Sequence, residues 1–387
     1  MTDQDRPSKS VNHYERAAWL IWLGYIAFRF VGYWRGQDGG IIYVYRNAAL
    51  NWIAGQPLYN LQGTDFLYFP HAAIFFIPFA VFPSTVTVLL WQVATCVIVA
   101  WSLYKFAPVV STDRKCFLVL TVITILCSTG TFNLGQATLV MLAFMLLGIV
   151  SLSRERWRGA AVFLVLAVAV KPLALPLLLL AAVSRREMPI PSLVAAVGVL
   201  ALPFLTQSPG YVASQYAAFI DNSRVSYSVG EYGDWAQAFG AAKSFGIPIA
   251  ADLQAVIRVG VGLGVLIGVW VCVKRLAPAR SAFYLLALSV FYILLFNPRT
   301  ENNTYALIAP VYGAGIFRSY VAREWWAVVF LGIAIACIAF QKQISRSIAP
   351  ETPEIWLGAL SCSIAAGYLI FQLIGEVSSR DQGAEKA

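Results

Sequence analysis

The chain predicts an all-α, polytopic integral membrane protein of about ten to twelve transmembrane or re-entrant helices with loops at its outer face. Three observations carry that reading. Apolar residues make up 59% of the 387 residues and charged residues 12%, a balance that the surface of a soluble globule cannot accommodate. The apolar residues gather into stretches near the roughly 20 residues that a helical crossing needs. The polar run Phe296-Asn297-Pro298-Arg299-Thr300-Glu301-Asn302-Asn303-Thr304-Tyr305 interrupts this pattern at a predicted membrane surface.

In order along the chain, residues 1–16 form a basic tail with Arg6, Lys9 and Arg16. No small-residue cleavage site follows, so 17–34 reads as a retained first span, interrupted by Arg29. An outer loop occupies 35–66. The piece from Pro70 to Phe82 is too short to cross, and Pro70, Pro78 and Pro83 mark it as re-entrant or interfacial. Further spans are expected over 84–106, 116–132, 136–152, 190–206, 252–275, 280–298, 304–321, 323–341 and 355–375, with a second outer loop at 207–251. The stretch from Gly159 to Val183 has basic residues at both ends and Lys171-Pro172 in its middle. That pattern predicts two half-length helices meeting inside the membrane, a break that usually lines a site. Residues 17–375 are thus one membrane-embedded domain, and 376–387 a polar, disordered cytoplasmic tail.

The net charge of +9 would point to nucleic acid in a soluble protein. Here the Lys and Arg residues lie in alternate short connections, which makes them orientation signals and argues against a nucleic-acid partner. Lys105 to Lys115, Arg154 to Arg158, Arg185-Arg186, Lys274 to Arg280 and Arg318 to Arg323 are expected in the cytoplasm with both tails. The long loops and the polar run then face outward, and function is expected at the extracytoplasmic face of the plasma membrane. Six cysteines fall within or at the ends of apolar segments without ligand spacing, so they read as free thiols. No His or carboxylate cluster has metal spacing, and neither metal nor cofactor is expected.

Four groups of residues carry a family resemblance. Asn47-Ala48-Ala49 through Gly55-Gln56-Pro57-Leu58-Tyr59, Phe66-Leu67-Tyr68-Phe69-Pro70, Asn133-Leu134-Gly135-Gln136 and Lys171-Pro172 occur in the order found in glycosyltransferase family 87. The chain resembles that family, whose members include polyprenol-phosphate-mannose-dependent mannosyltransferases. The resemblance implies a GT-C type fold, a polyprenyl phosphate-linked sugar as donor, a lipid or glycan acceptor, membrane lipids as surroundings, and an inverting displacement. It also implies a catalytic aspartate early in the first outer loop.

Asp38 is the residue this singles out, although Gly39-Gly40 intervene before the Tyr and Ala-Ala element and Ile41 occupies the position counted back from Tyr45. Gly-Gln-Asp-Gly-Gly is equally a turn sequence, and Asp65, Asp221, Glu231 and Asp234 are the alternative bases. For the donor phosphate the candidates are Lys171, Arg299 and Arg258, because a cation at membrane depth is costly unless paired or functional. Lys171 could instead snorkel or bind carbonyls freed by Pro172, and Arg299 could pair with Glu301 as a clasp. Tyr68, His71, Asn133 and Gln136 are candidates for the lipid-linked sugar, and Glu301, Asn302, Asn303, Asp234 and Glu231 for acceptor or sugar hydroxyls. An interfacial aromatic belt and helix capping account for Tyr68 and Asn133 as well. Two other classes fit part of the pattern. A secondary transporter would use the same broken helix, though no internal repeat is present, and a lipid-linked polysaccharide ligase or flippase would lean on loop arginines.

Overall fold

The computed structural model describes residues 13–35, 39–60, 66–228, 235–349, 352 and 354–384. Every regular element among the described residues is helical, as lipid demands of segments that must satisfy their own backbone groups. In order they are α1 (His13–Trp34), α2 (Ile42–Ile53), α3 (Pro70–Ala80), α4 (Ser84–Val110), α5 (Lys115–Asn133), α6 (Thr138–Ser153), α7 (Trp157–Val170), α8 (Leu175–Ser184) and α9 (Pro189–Ala201). Then follow α10 (Pro209–Ser228), α11 (Ala238–Ser244), α12 (Ala251–Arg275), α13 (Pro278–Phe296), α14 (Ala309–Val321), α15 (Trp325–Ala339), α16 (Gln341–Ile348) and α17 (Trp356–Ala384).

Among the described residues five stretches are long and apolar enough to cross a membrane: α4, α5, α12, α13 and Trp356–Ser378 of α17. α15 and α16 amount to a sixth if their 89° bend lies within one span. Among these helices α13 is the axis, buried from Ser281 to Leu295 with few interruptions. α12 stands outboard of it with only Val269 and Cys272 buried. α1 buries Ala18, Trp22, Arg29 and Gly32, a one-sided stripe at helical spacing, and Trp22 Nε1 donates to Thr121 Oγ1 of α5 at 3.2 Å. α6 and α7 approach closely at Gly148, where an added Cβ would lie 2.5 Å from Leu164 Cδ2.

α7 and α8 bear out the broken-helix pattern at Lys171-Pro172. Pro172 lacks an N–H and pushes the residue before it out of the helical region, and Lys171 is extended, with φ −151° and ψ 121°. A 3-10 turn, Pro172–Ala174, starts the return. Arg185, just past α8, stacks on Trp157 at the start of α7 with 5.7 Å from guanidinium to ring centroid, and donates to Ser281 Oγ at 2.7 Å. The two half-helices therefore form a re-entrant hairpin with Lys171 at its tip.

Several segments differ from expectation. The outer loop drawn over 35–66 contains α2, whose buried Ile42, Tyr45, Ala48, Ala49 and Trp52 share one face; an amphipathic helix this short leaves no long apolar run. The second loop contains α10 and α11 for the same reason. The span expected at 304–321 is a 3-10 turn, Asn302–Ile308, followed by α14, with Pro310 in the first turn of α14, where its missing N–H leaves no helical bond unmade. The connection left between the spans 323–341 and 355–375 contains α16, a polar helix that lies at 89° to α15. The tail expected to be disordered from 376 continues α17 to Ala384. There Glu376 is held by Tyr284, which donates to Oε1 at 3.0 Å, and by Arg280 at 3.6 Å.

Candidate active site

The tip of the hairpin meets the start of α6 and the polar run after α13. Lys171 Nζ donates to Thr138 Oγ1 at 2.9 Å, Thr138 Oγ1 donates to Gln136 Oε1 at 3.1 Å, and Gln136 Nε2 donates to Glu301 Oε2 at 3.2 Å. This directed chain ends on a carboxylate whose other oxygen lies 3.9 Å from Arg299 Nε. Glu301 opens the 3-10 turn, its N–H donating to Thr304 Oγ1 at 3.2 Å. Arg299 lies over the Trp235 ring at 4.8 Å and bonds Ser226 Oγ of α10. The Trp235 segment is anchored in turn, with Ala236 N–H on Thr300 O at 2.7 Å and Tyr305 Oη on Ala236 O at 2.6 Å.

An ammonium offers three hydrogens, and Thr138 is the hydrogen-bond partner of Lys171 among the described residues. Glu301 attracts and Arg299 repels that charge. The cluster therefore combines two cations and one carboxylate, with donors of Lys171 left for a further acceptor.

Two tyrosines adjoin it. Tyr45 on α2 and Tyr68 before α3 are both buried and meet edge to face, with hydroxyls 2.8 Å apart. Ala137 N–H donates to Tyr45 Oη at 3.1 Å, and Tyr59 Oη donates to Tyr68 O at 2.7 Å. The chain leading into α2 is pinned to the same place: Ile41 N–H donates to Leu134 O at 3.1 Å. Gly40 has φ +56°, and a Cβ there would lie 2.7 Å from Leu134 O, so both conformation and space call for glycine. Gly135, with φ +62°, completes the contact, and its carbonyl accepts from Trp91 Nε1 at 2.8 Å.

α10 straps the connection between α2 and α3. Leu58 N–H donates to Gln215 Oε1 at 2.9 Å, Asn222 Nδ2 donates to Phe66 O at 3.3 Å, and Tyr211 Oη donates to Gln56 O at 2.6 Å. Burial lifts the Tyr211 and Tyr216 hydroxyls to about 12, so both stay protonated donors at ordinary pH.

Lys171, Gln136, Arg299, Glu301 and Tyr68 are thus brought together. Other candidates lie elsewhere or are engaged. Asn133 Oδ1 accepts from Arg29, which also donates to Gln92 Oε1 at 3.1 Å. Arg258 is held at Phe296 O (2.9 Å), Gln254 Oε1 (3.0 Å) and the Phe239 ring. His71 stacks on Phe69, with Nδ1 3.4 Å from Tyr216 Oη. Asn302 Nδ2 donates to Glu354 O at 3.0 Å, and the Asn303 backbone carbonyl accepts from Thr131 Oγ1 at 2.7 Å; the side-chain oxygens of both asparagines are buried without a hydrogen-bond partner among the described residues. Asp221 is exposed on α10, 3.4 Å from Arg224. Asp38, Asp65, Glu231 and Asp234 lie outside the described residues.

Thr138 was not singled out from the sequence, and Tyr45 entered only as the mark from which Ile41 was counted back. Thr138 lies two residues after Gln136, and Tyr45 lies one helical turn before Ala48-Ala49, so both had a neighbouring motif as signal.

No curated protein and no solved structure matches the chain. The model of glycosyltransferase family 87 matches residues 66–298, a stretch that carries Tyr68, Gln136, Thr138 and Lys171 and stops just short of Arg299 and Glu301. Because that match spans more than half of an all-helical, membrane-crossing chain, the protein belongs to glycosyltransferase family 87 and is a membrane glycosyltransferase.

Proposed function

We propose that the protein moves a hexose, mannose-like, from a polyprenyl phosphate-linked donor to a lipid or glycan acceptor at the extracytoplasmic face of the plasma membrane, with inversion. The observation that carries this reading is the ammonium of Lys171. It sits at the tip of a re-entrant hairpin with one neutral hydrogen-bond partner among the described residues, beside Arg299. A phosphodiester anion that becomes a monoester dianion as the sugar leaves is the ligand chemistry that uses both cations. A lipid-linked donor brings such a group to this depth.

In the displacement, the acceptor oxygen forms a bond to the anomeric carbon while the bond from that carbon to the phosphate oxygen breaks. The bonding electrons leave with the phosphate, whose growing charge Lys171 and Arg299 stabilise. The acceptor proton passes to a carboxylate base. Asp38 is assigned that role, supported by the anchoring of Gly40 and Ile41, just beyond it in the chain, against Leu134 next to Gln136. Glu301 is less suited to it, because Gln136 and Arg299 both engage its oxygens.

The test is a transfer assay with purified wild type and Asp38→Asn in nanodiscs, offering polyprenyl phosphate-linked mannose, glucose and arabinose with membrane lipid extract as acceptor. Transfer of one sugar by wild type, lost in the variant at unchanged folding, is the expected result. Transfer by both moves the base elsewhere; folded wild type that transfers none of the three overturns the donor assignment.

A further inference from the structure

The hydrogens of the tyrosine pair have one arrangement that a ligand can complete. Ala137 N–H can only donate, so Tyr45 Oη accepts from it at 3.1 Å. Tyr45 is fully buried, and among the described residues Tyr68 Oη, at 2.8 Å, is the remaining partner its own proton can reach. Without a ligand, one of the two protons lacks an acceptor whichever hydroxyl donates. Once an acceptor reaches Tyr68, both protons are satisfied only if Tyr45 donates to Tyr68 and Tyr68 donates onward. Tyr59 fixes the Tyr68 backbone by its bond to the carbonyl, and Phe76 stacks on Tyr45 at 4.3 Å, so neither ring is at liberty to swing. The charged groups acting on the Tyr68 hydroxyl are Glu301 and Arg299.

We propose that Tyr68 donates its phenolic hydrogen to an oxygen of the donor's phosphate, and that Tyr45 is a positioning residue that aims this hydrogen through the relay from Ala137 N–H. The inference rests on the functional reading above and adds a neutral, oriented donor to its two cations. A phosphate oxygen beside Lys171 and Arg299 is the strongest acceptor that such a site can present. The relay starts from Ala137 and the cation chain passes through Thr138, so both reach the phosphate from the same helix start.

The test measures the affinity of undecaprenyl phosphate for the full chain in nanodiscs, as wild type, Tyr68→Phe, Tyr45→Phe and the double variant. Donor and acceptor KM are read beside it. Tyr68→Phe keeps the bond from Ala137 to Tyr45 and so serves as the test should Tyr45→Phe fold poorly. The expected result is about tenfold weaker binding for Tyr68→Phe and a severalfold loss for Tyr45→Phe. The double variant should be no weaker than Tyr68→Phe, and the acceptor KM should not move. A merely structural pair would lower the melting temperature and leave affinity per folded molecule unchanged, which overturns the proposal. Additive losses in the double variant, or a Tyr45→Phe that binds like wild type, overturn the positioning role. Folded wild type that does not bind undecaprenyl phosphate overturns the functional reading itself, and this inference with it.

Discussion

Two cations, the buried Arg29 and the partly buried Lys171, sit near the same end of the helix bundle and are used differently. Arg29, 4% exposed, gives its nitrogens to Gln92 of α4 and Asn133 at the end of α5. It ties three helices together. Among the described residues Lys171 holds Thr138 alone by hydrogen bond and has donors left over, with a carboxylate and a second arginine close by. Membrane depth makes both expensive, so depth does not tell structure from chemistry. The count of committed donors does.

The sharpest way to break this comparison is Lys171→Met. Transfer should fall by a factor of about a hundred to a thousand, as when a donor to a developing oxyanion is lost, while the thermal unfolding midpoint stays within a few degrees. Activity close to wild type would remove Lys171 from the phosphate site. Arg29→Met should do the reverse. It leaves the buried Gln92 amide, and Asn133 with it, without their charged partner, which costs about 2 kcal/mol, visible as a lowered melting temperature, while transfer per folded molecule stays within about twofold. Gly40→Ala falls between them, with strain of about 1–2 kcal/mol from its positive φ and the contact with Leu134 O. Because it adjoins the loop of the assigned base, a severalfold loss of turnover is expected with little change in donor KM. The smallest effect should come from Asp221→Asn, whose side chain is 64% exposed in its pair with Arg224. Such pairs contribute about 0–1 kcal/mol, and transfer should be unchanged; a loss would reopen the question of the base.

Sequence made the hairpin legible because proline chemistry is local: Lys171-Pro172 within an apolar stretch with basic ends has few other solutions. The pairing of Arg299 with Glu301 was legible for the same reason, being two residues apart. α2 was not, since its five buried positions are spread through twelve residues with Arg46, Asn47 and Asn51 between them. Thr138 was hidden by the apolar helix it begins. The engagement of Asn133 by Arg29 joins residues 104 apart, and no spacing rule reaches that far. What pattern could supply was which residues are costly; which of them meet depends on tertiary packing.

The hairpin also settles a matter of parity. α7 starts at Trp157 and α8 ends beside it through Arg185, so a hairpin dipping into a bilayer leaves it on the side from which it entered. The single crossing that a continuous helix over this stretch would make is replaced by none, and α9 then starts on the side where α6 ends. Cysteines introduced at Glu155 and at Arg186 should react with an impermeant thiol reagent from one and the same side of sealed vesicles.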